Sequence, residues 1–125
     1  SAPRDGLVRV AARGAALEAN DAEALRPYLH PNYRDGDLDA DEALARLQKD
    51  LTGVRVRLRP RYYRLELRGH EAHLDEHYEL EVNGRPLPEA VARFTLETSA
   101  GRYRLRAGLY PEKPNSSLEP GKSLQ

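Results

Sequence analysis

The chain has 125 residues, 39% hydrophobic and 32% charged, which suits one soluble domain with a single core. Lys+Arg and Asp+Glu stand equal at 20 each, so no net field recruits nucleic acid or an acidic membrane surface. Cysteine is absent, which excludes disulfides, thiol nucleophiles and Cys-ligated zinc, and no apolar run nears the ~20 residues of a membrane-spanning helix.

The chain opens on Ser1-Ala2-Pro3 without a methionine, which fits either an appended scar or the start of a mature exported domain; the reading leans to export or periplasm. Leu7, Val10, Ala11 and Leu17 keep a helical period from about Arg4 to Ala19. Asn20-Asp21 then supplies a stop and a new N-cap for a short second helix, which Pro31 and its predecessor should end. Asp39 or Asp41 caps a third helix with an apolar stripe of Ala43, Leu44, Leu47 and Leu51, and Gly53 closes it.

From Val54 the period changes to two. Val54, Val56 and Leu58 share one face, while Tyr63, Leu65 and Leu67 share a face of opposite parity, so a bulge is expected near Pro60. Three further strands put Ala72, Leu74, Glu76, Tyr78, Leu80 and Val82, then Ala90, Ala92, Phe94 and Leu96, then Tyr103, Leu105, Ala107 and Leu109 inward. Turn signals separate them at Gly69-His70, Asn83-Gly84-Arg85 and Ser99-Ala100-Gly101. Residues 4–110 form one domain on this reading, and 111–125, with their prolines, form a loose tail. Helices followed by an antiparallel meander define an α+β fold, three helices on a curved sheet of four to five strands, the fifth a short one at Tyr33–Asp35 beside the last.

Charge fixes a register. Arg68 facing Glu71 pairs Glu66 with His73, Arg64 with Asp75 and Tyr62 with His77; past the bulge, Arg59 meets Glu79 and Arg57 meets Glu81. A three-residue turn at Asn83-Gly84-Arg85 sets Asp75 beside Arg93, and a turn after Glu97 sets Glu97 beside Arg102. The same register leaves Arg93 next to Arg106, a mismatch.

Three groups of residues could carry chemistry. His73, Asp75 and His77 alternate on one strand at a spacing that metal ions use, yet each has a cross-strand partner, so a solvated face is the favoured reading and neither a metal nor a cofactor is expected. Glu76 falls on the apolar face beside Tyr78 and opposite Tyr63; a carboxylate there is either tied to a helix cation such as Arg26 or lines a pocket with a raised pKa. His30, Tyr33 and Asp35 gather where the second helix ends, as a cavity mouth or as cap and turn chemistry.

Two stretches carry a family likeness. Leu17-Glu18-Ala19-Asn20-Asp21-Ala22-Glu23-Ala24-Leu25, running into Leu29-His30-Pro31-Asn32-Tyr33-Arg34-Asp35, resembles the helical opening of the nuclear-transport-factor-2-like superfamily. Gly101-Arg102-Tyr103-Arg104-Leu105-Arg106-Ala107-Gly108-Leu109-Tyr110 resembles its last strand. That superfamily includes ketosteroid isomerases, SnoaL-like polyketide cyclases and dehydratases. The resemblance implies a cone, a curved sheet wrapped round helices with a pocket between them, and it places Asp35 where isomerase-type members hold their proton-abstracting carboxylate. Their helix-one tyrosine has no counterpart around Arg13 to Leu17.

The leading expectation is a pocket for a small organic ligand, lined by His30, Tyr33, Tyr63, Tyr78 and Phe94 with Asp35 and Glu76. The alternatives are an acid–base enzyme with Asp35 as base and Glu76 or a tyrosine as acid, or a homodimer joined through the outer sheet face.

Overall fold

The computed structural model describes residues 2–110, the side chains of residues 2, 3, 5 and 8 aside. Helix α1 (Ala2–Ala19) stops as its sequence dictates. Asn20 turns left-handed at φ 60°, its amide donating to the Leu17 carbonyl and that of Asp21 to the Ala16 carbonyl. The next segment departs from expectation. It is a 3-10 helix, Ala22–Tyr28, which contains Pro27 and ends short of Pro31. Pro27 lacks the N–H that an α-ladder needs. Asp21 makes no side-chain cap bond; the Gln48 side chain accepts from the Ala22 amide in its place.

Helix α2 (Ala40–Leu51) is capped by Asp39, whose carboxylate accepts from the Glu42 amide while Glu42 accepts from the Asp39 amide. The short strand near Tyr33 forms, but with a different partner. Strand β1 (Arg34–Asp35) pairs with β2 (Leu38–Asp39) in a small hairpin. What lies along the final strand is Leu29, bridging Leu105 in parallel, with the His30 amide donating to the Leu105 carbonyl at 2.7 Å.

The main sheet runs β3 (Val56–Arg68), β4 (Glu71–Val82), β6 (Ala90–Ser99), β7 (Arg102–Ala107), with the short β5 (Arg85–Pro86) also on β4. The first hairpin has the register that charge implied, Arg68 with Glu71 through Arg57 with Glu81, and the bulge falls between Pro60 and Tyr62. Asp75 lies opposite Arg93 as expected, although the turn is the two-residue Asn83-Gly84, with Val82 facing Arg85. Both turn residues have positive φ, as a type I′ turn requires.

The last hairpin corrects the charge register. Glu97 faces Arg104, not Arg102, because the strands continue to Ser99 opposite Arg102 and turn on Ala100-Gly101. That shift of two residues carries Arg106 away from Arg93, and Arg106 falls at a bulge between Thr95 and Leu96. Arg106 lies against Glu71 (3.4 Å) and Glu97 (2.9 Å), which removes the expected mismatch. Its Nε meets Glu97 at close range but without hydrogen-bond alignment, so the contact is an ion pair.

Inward residues of the sheet and helices make a main core in which Leu74, Phe94, Leu96 and Leu105 meet Val10, Leu25 and Leu44, with a smaller cluster of Leu17, Leu51 and Val56. Each large side chain so buried contributes roughly 1.5–3 kcal/mol. No helix among the described residues is long and apolar enough to cross a membrane.

Candidate functional site

A cleft of about 610 Å³ opens between α1, the first half of β6 and the chain leaving β7. Val91, Ala92, Ala107, Leu109 and the Tyr78 side chain supply its apolar walls; Arg13, Asp35, Arg93, Thr95 and Tyr110 supply its polar groups. Gly108 lets the chain close the cleft's floor. A Cβ there would fall 2.6 Å from the Arg93 carbonyl oxygen and 2.7 Å from the Phe94 ring, and φ is +126°. A second depression of about 530 Å³ over β3, β4 and β5 is lined largely by Glu18, Arg57, Arg59, Glu79 and Glu81, of which Arg59 and Glu79 are an ion pair at 2.8 Å.

Behind the cleft sits a buried ion pair. The Arg13 Nη1 donates to Glu76 Oε1 at 2.9 Å, with 1% of the Glu76 side chain exposed and 11% of the Arg13 side chain. The guanidinium also lies over the rings of Tyr78 (5.0 Å) and Phe94 (5.4 Å), which hold it in place. Burial pushes the Glu76 carboxyl above its usual range, with the Arg13 charge and the Tyr63 hydroxyl pulling the other way. Tyr63 answers in kind: burial first, then the Glu76 charge, push its hydroxyl up to about 12. Glu76 is thus clamped by a helix cation and stands outside the cleft's lining, while desolvation outweighs the clamp in the direction of its shift. The clamping cation is not Arg26, whose guanidinium is engaged at the surface by Glu23 and Asp41.

His30, Tyr33 and Asp35 make a second constellation. Asp35 accepts from the Gly108 amide at 2.7 Å, the Tyr110 amide at 3.1 Å and the Tyr33 hydroxyl. Tyr33 in turn accepts from the Leu109 amide at 2.9 Å, and burial, then the Asp35 charge, raise its pKa. The His30 Nδ1 accepts from the Asn32 amide, a local turn bond. These groups fasten the loop after the 3-10 helix to the segment after β7.

Of the residues singled out from sequence, Asp35 and Tyr78 reach the cleft wall, while Tyr63, Glu76 and Phe94 stand behind Arg13. Tyr33 belongs to the fastening, and the His30 ring serves its local turn. His73 is bonded to Glu71 at 3.1 Å, and the His77 ring stacks on Tyr62 at 4.0 Å. Sequence reasoning passed over Arg13. Its signal was there, because Arg13 falls between Val10 and Leu17 on the buried stripe of α1, and a cation at such a position implies a buried partner.

No family model matches the chain, and a search of curated proteins finds no match. Solved structures do match. A Catenulispora acidiphila protein in complex with S-DNPA superposes with a TM-score of 0.70 at 14% identity, over 84% of this chain and 88% of that one. A dehydratase candidate of the nuclear-transport-factor-2-like family from Streptomyces avermitilis gives 0.67 at 14% identity, over 84% and 91%. A ketosteroid isomerase candidate from Shewanella frigidimarina gives 0.64 at 16% identity, over 80% and 89%. Uncharacterised proteins with a cystatin-like fold, from Caulobacter vibrioides and Nostoc punctiforme, also match. Helices on one face of a curved antiparallel sheet, in this order and register, give the chain the nuclear-transport-factor-2-like, or cystatin-like, fold.

Proposed function

We propose that this protein binds a small organic molecule in the cleft between α1, β6 and the segment after β7. The observation that carries the reading is the cleft's makeup: about 610 Å³, apolar walls and a few polar groups in its lining, the usual composition and size of a ligand site. Its walls come from strands and from a segment that Asp35 fastens, so the site exists before any ligand arrives. Ligand-observed NMR over a library of small organic molecules tests it, followed by amide shift mapping. Shifts gathered at Val91, Ala92, Ala107 and Gly108 are expected; a library with no binder, or shifts confined to the outer sheet face, overturns the reading.

Acid–base catalysis with Asp35 as base is the second reading. Asp35 lines the cleft, and two neighbours of this fold bear the names of a dehydratase and an isomerase. Both Asp35 oxygens already accept hydrogen bonds, however, from two amides and a hydroxyl. Three of the carboxylate's roughly four acceptor positions are thus filled, and hydrogen bonds to the charged form make it a weaker base. That geometry favours binding over proton abstraction.

A further inference from the structure

The inner end of the cleft is an arginine with donors to spare, and this deepens the binding reading on which it rests. Arg13 gives Nη1 to Glu76, and the rings of Tyr78 and Phe94 fix its plane. A guanidinium carries five N–H donors in a rigid fork. The 11% of the side chain left exposed belongs to a residue that lines the cleft. Arg93 reaches the cleft's rim from the outward side of β6, opposite Asp75, and is 73% exposed with that carboxylate at 3.9 Å. Asp35, the acidic group of the cleft, has its charge met by the Gly108 and Tyr110 amides. Arg13 is therefore the buried cation of the cleft's lining, beside the apolar Val91, Ala92, Ala107 and Leu109.

We propose that the ligand is a small organic anion, its carboxylate or comparable planar oxyanion seated on the Arg13 donors that Glu76 does not take, its apolar body against Val91, Ala92, Ala107 and Leu109. Arginine suits this task better than lysine would, because its planar fork matches a carboxylate and is weakly hydrated. A neutral amide of the same shape brings two donors of its own toward a wall that offers donors. Charge-assisted hydrogen bonds at a desolvated site make the acid the better ligand by roughly 10- to 100-fold.

Matched pairs test this: 2-naphthoate against 2-naphthamide and 3-phenylpropionate against its amide, titrated calorimetrically beside a general library. The acids should bind at least tenfold tighter than their amides. The Arg13→Gln/Glu76→Gln variant, which keeps a hydrogen-bonding neutral pair, should lose that preference, while Arg59→Ala, which removes an exposed arginine outside the cleft, should keep it. In the unmodified protein, where no variant need fold, the Arg13 Nε–H resonance should shift with each acid and not with its amide. Amides that bind as well as the acids, an acid preference that survives the double substitution or vanishes in Arg59→Ala, or an unmoved Arg13 resonance would each overturn the inference. If neutral library members bind at Val91 and Ala107 while no acid does, the anion is wrong and the pocket stands. If nothing binds at all, the pocket reading falls with it.

Discussion

Removing Arg13 should expose how completely Glu76 is cut off from water. In Arg13→Leu the carboxylate keeps its 1% exposure and loses the cation at 2.9 Å. It must then remain charged in an apolar setting or take up a proton on folding, and breaking a buried pair in this way costs about 3–5 kcal/mol. The proton route sets a scale of its own. An unfolded Glu titrates near ~4.3, and holding it protonated at pH 7 costs about 1.36 kcal/mol for each of the intervening units, close to ~4 kcal/mol. The sign follows from a folded pKa raised above the unfolded one. Stability is fully present at acid pH and is lost as pH climbs through the unfolded value toward the folded one. The comparison that isolates this is Arg13→Leu against Arg13→Leu/Glu76→Gln, since both lack the arginine stem over Tyr78 and Phe94. Urea melts from pH 4 to pH 8 should show the single variant about 4 kcal/mol weaker than the double at pH 7 and nearly equal to it at pH 4. Curves that run together at every pH would refute the reasoning, because Glu76 would then be finding water without Arg13.

Other consequences are more local. Gly108→Ala forces a Cβ to within 2.6 Å of the Arg93 carbonyl oxygen at a φ of +126°; thermal melts should show a loss of about 2 kcal/mol or more. Ala100 sits left-handed at φ 53° in the last hairpin turn, so Ala100→Asn, which makes an Asn-Gly turn, should stabilise by ~0.5–1 kcal/mol in a denaturant titration. Asp35→Ala strands the Gly108 and Tyr110 amides and the Tyr33 hydroxyl. It should cost about 2–3 kcal/mol and raise hydrogen exchange at residues 108–110; a variant as stable as the parent would return Asp35 to a functional role. The outer sheet face, with Tyr62 56% exposed beside His77, should support at most a weak, wet homodimer. Light scattering at about 50 µM should find association that added salt relieves, and a strict monomer there removes the dimer.

What the sequence determined by itself is whatever rests on neighbours along the chain. Alternation of Leu74, Glu76 and Tyr78 with His73, Asp75 and His77 decides which side of β4 faces in, because a strand's side chains alternate by geometry. Asn83-Gly84 sets a turn, Pro60 sets a bulge, and Asp39 with Glu42 sets a helix start, each through local hydrogen bonds and allowed φ. The last hairpin shows where this ends. Arg102, Arg104 and Arg106 alternate, so a slip of two residues against Glu97 keeps both the facing and the charge match. Packing of Leu96 against Leu105 chooses between the registers, even though Ala100 must then turn left-handed. Pro27 likewise turns an expected α-helix into a 3-10 helix, with Gln48 of α2 supplying the cap. The candidate site lies furthest from local rules. Glu76 was conspicuous as a carboxylate on an apolar face, but its partner is 63 residues away. The crossing of α1 over the sheet, and not any spacing along the chain, brings Arg13 to Glu76 and to the lining of the cleft.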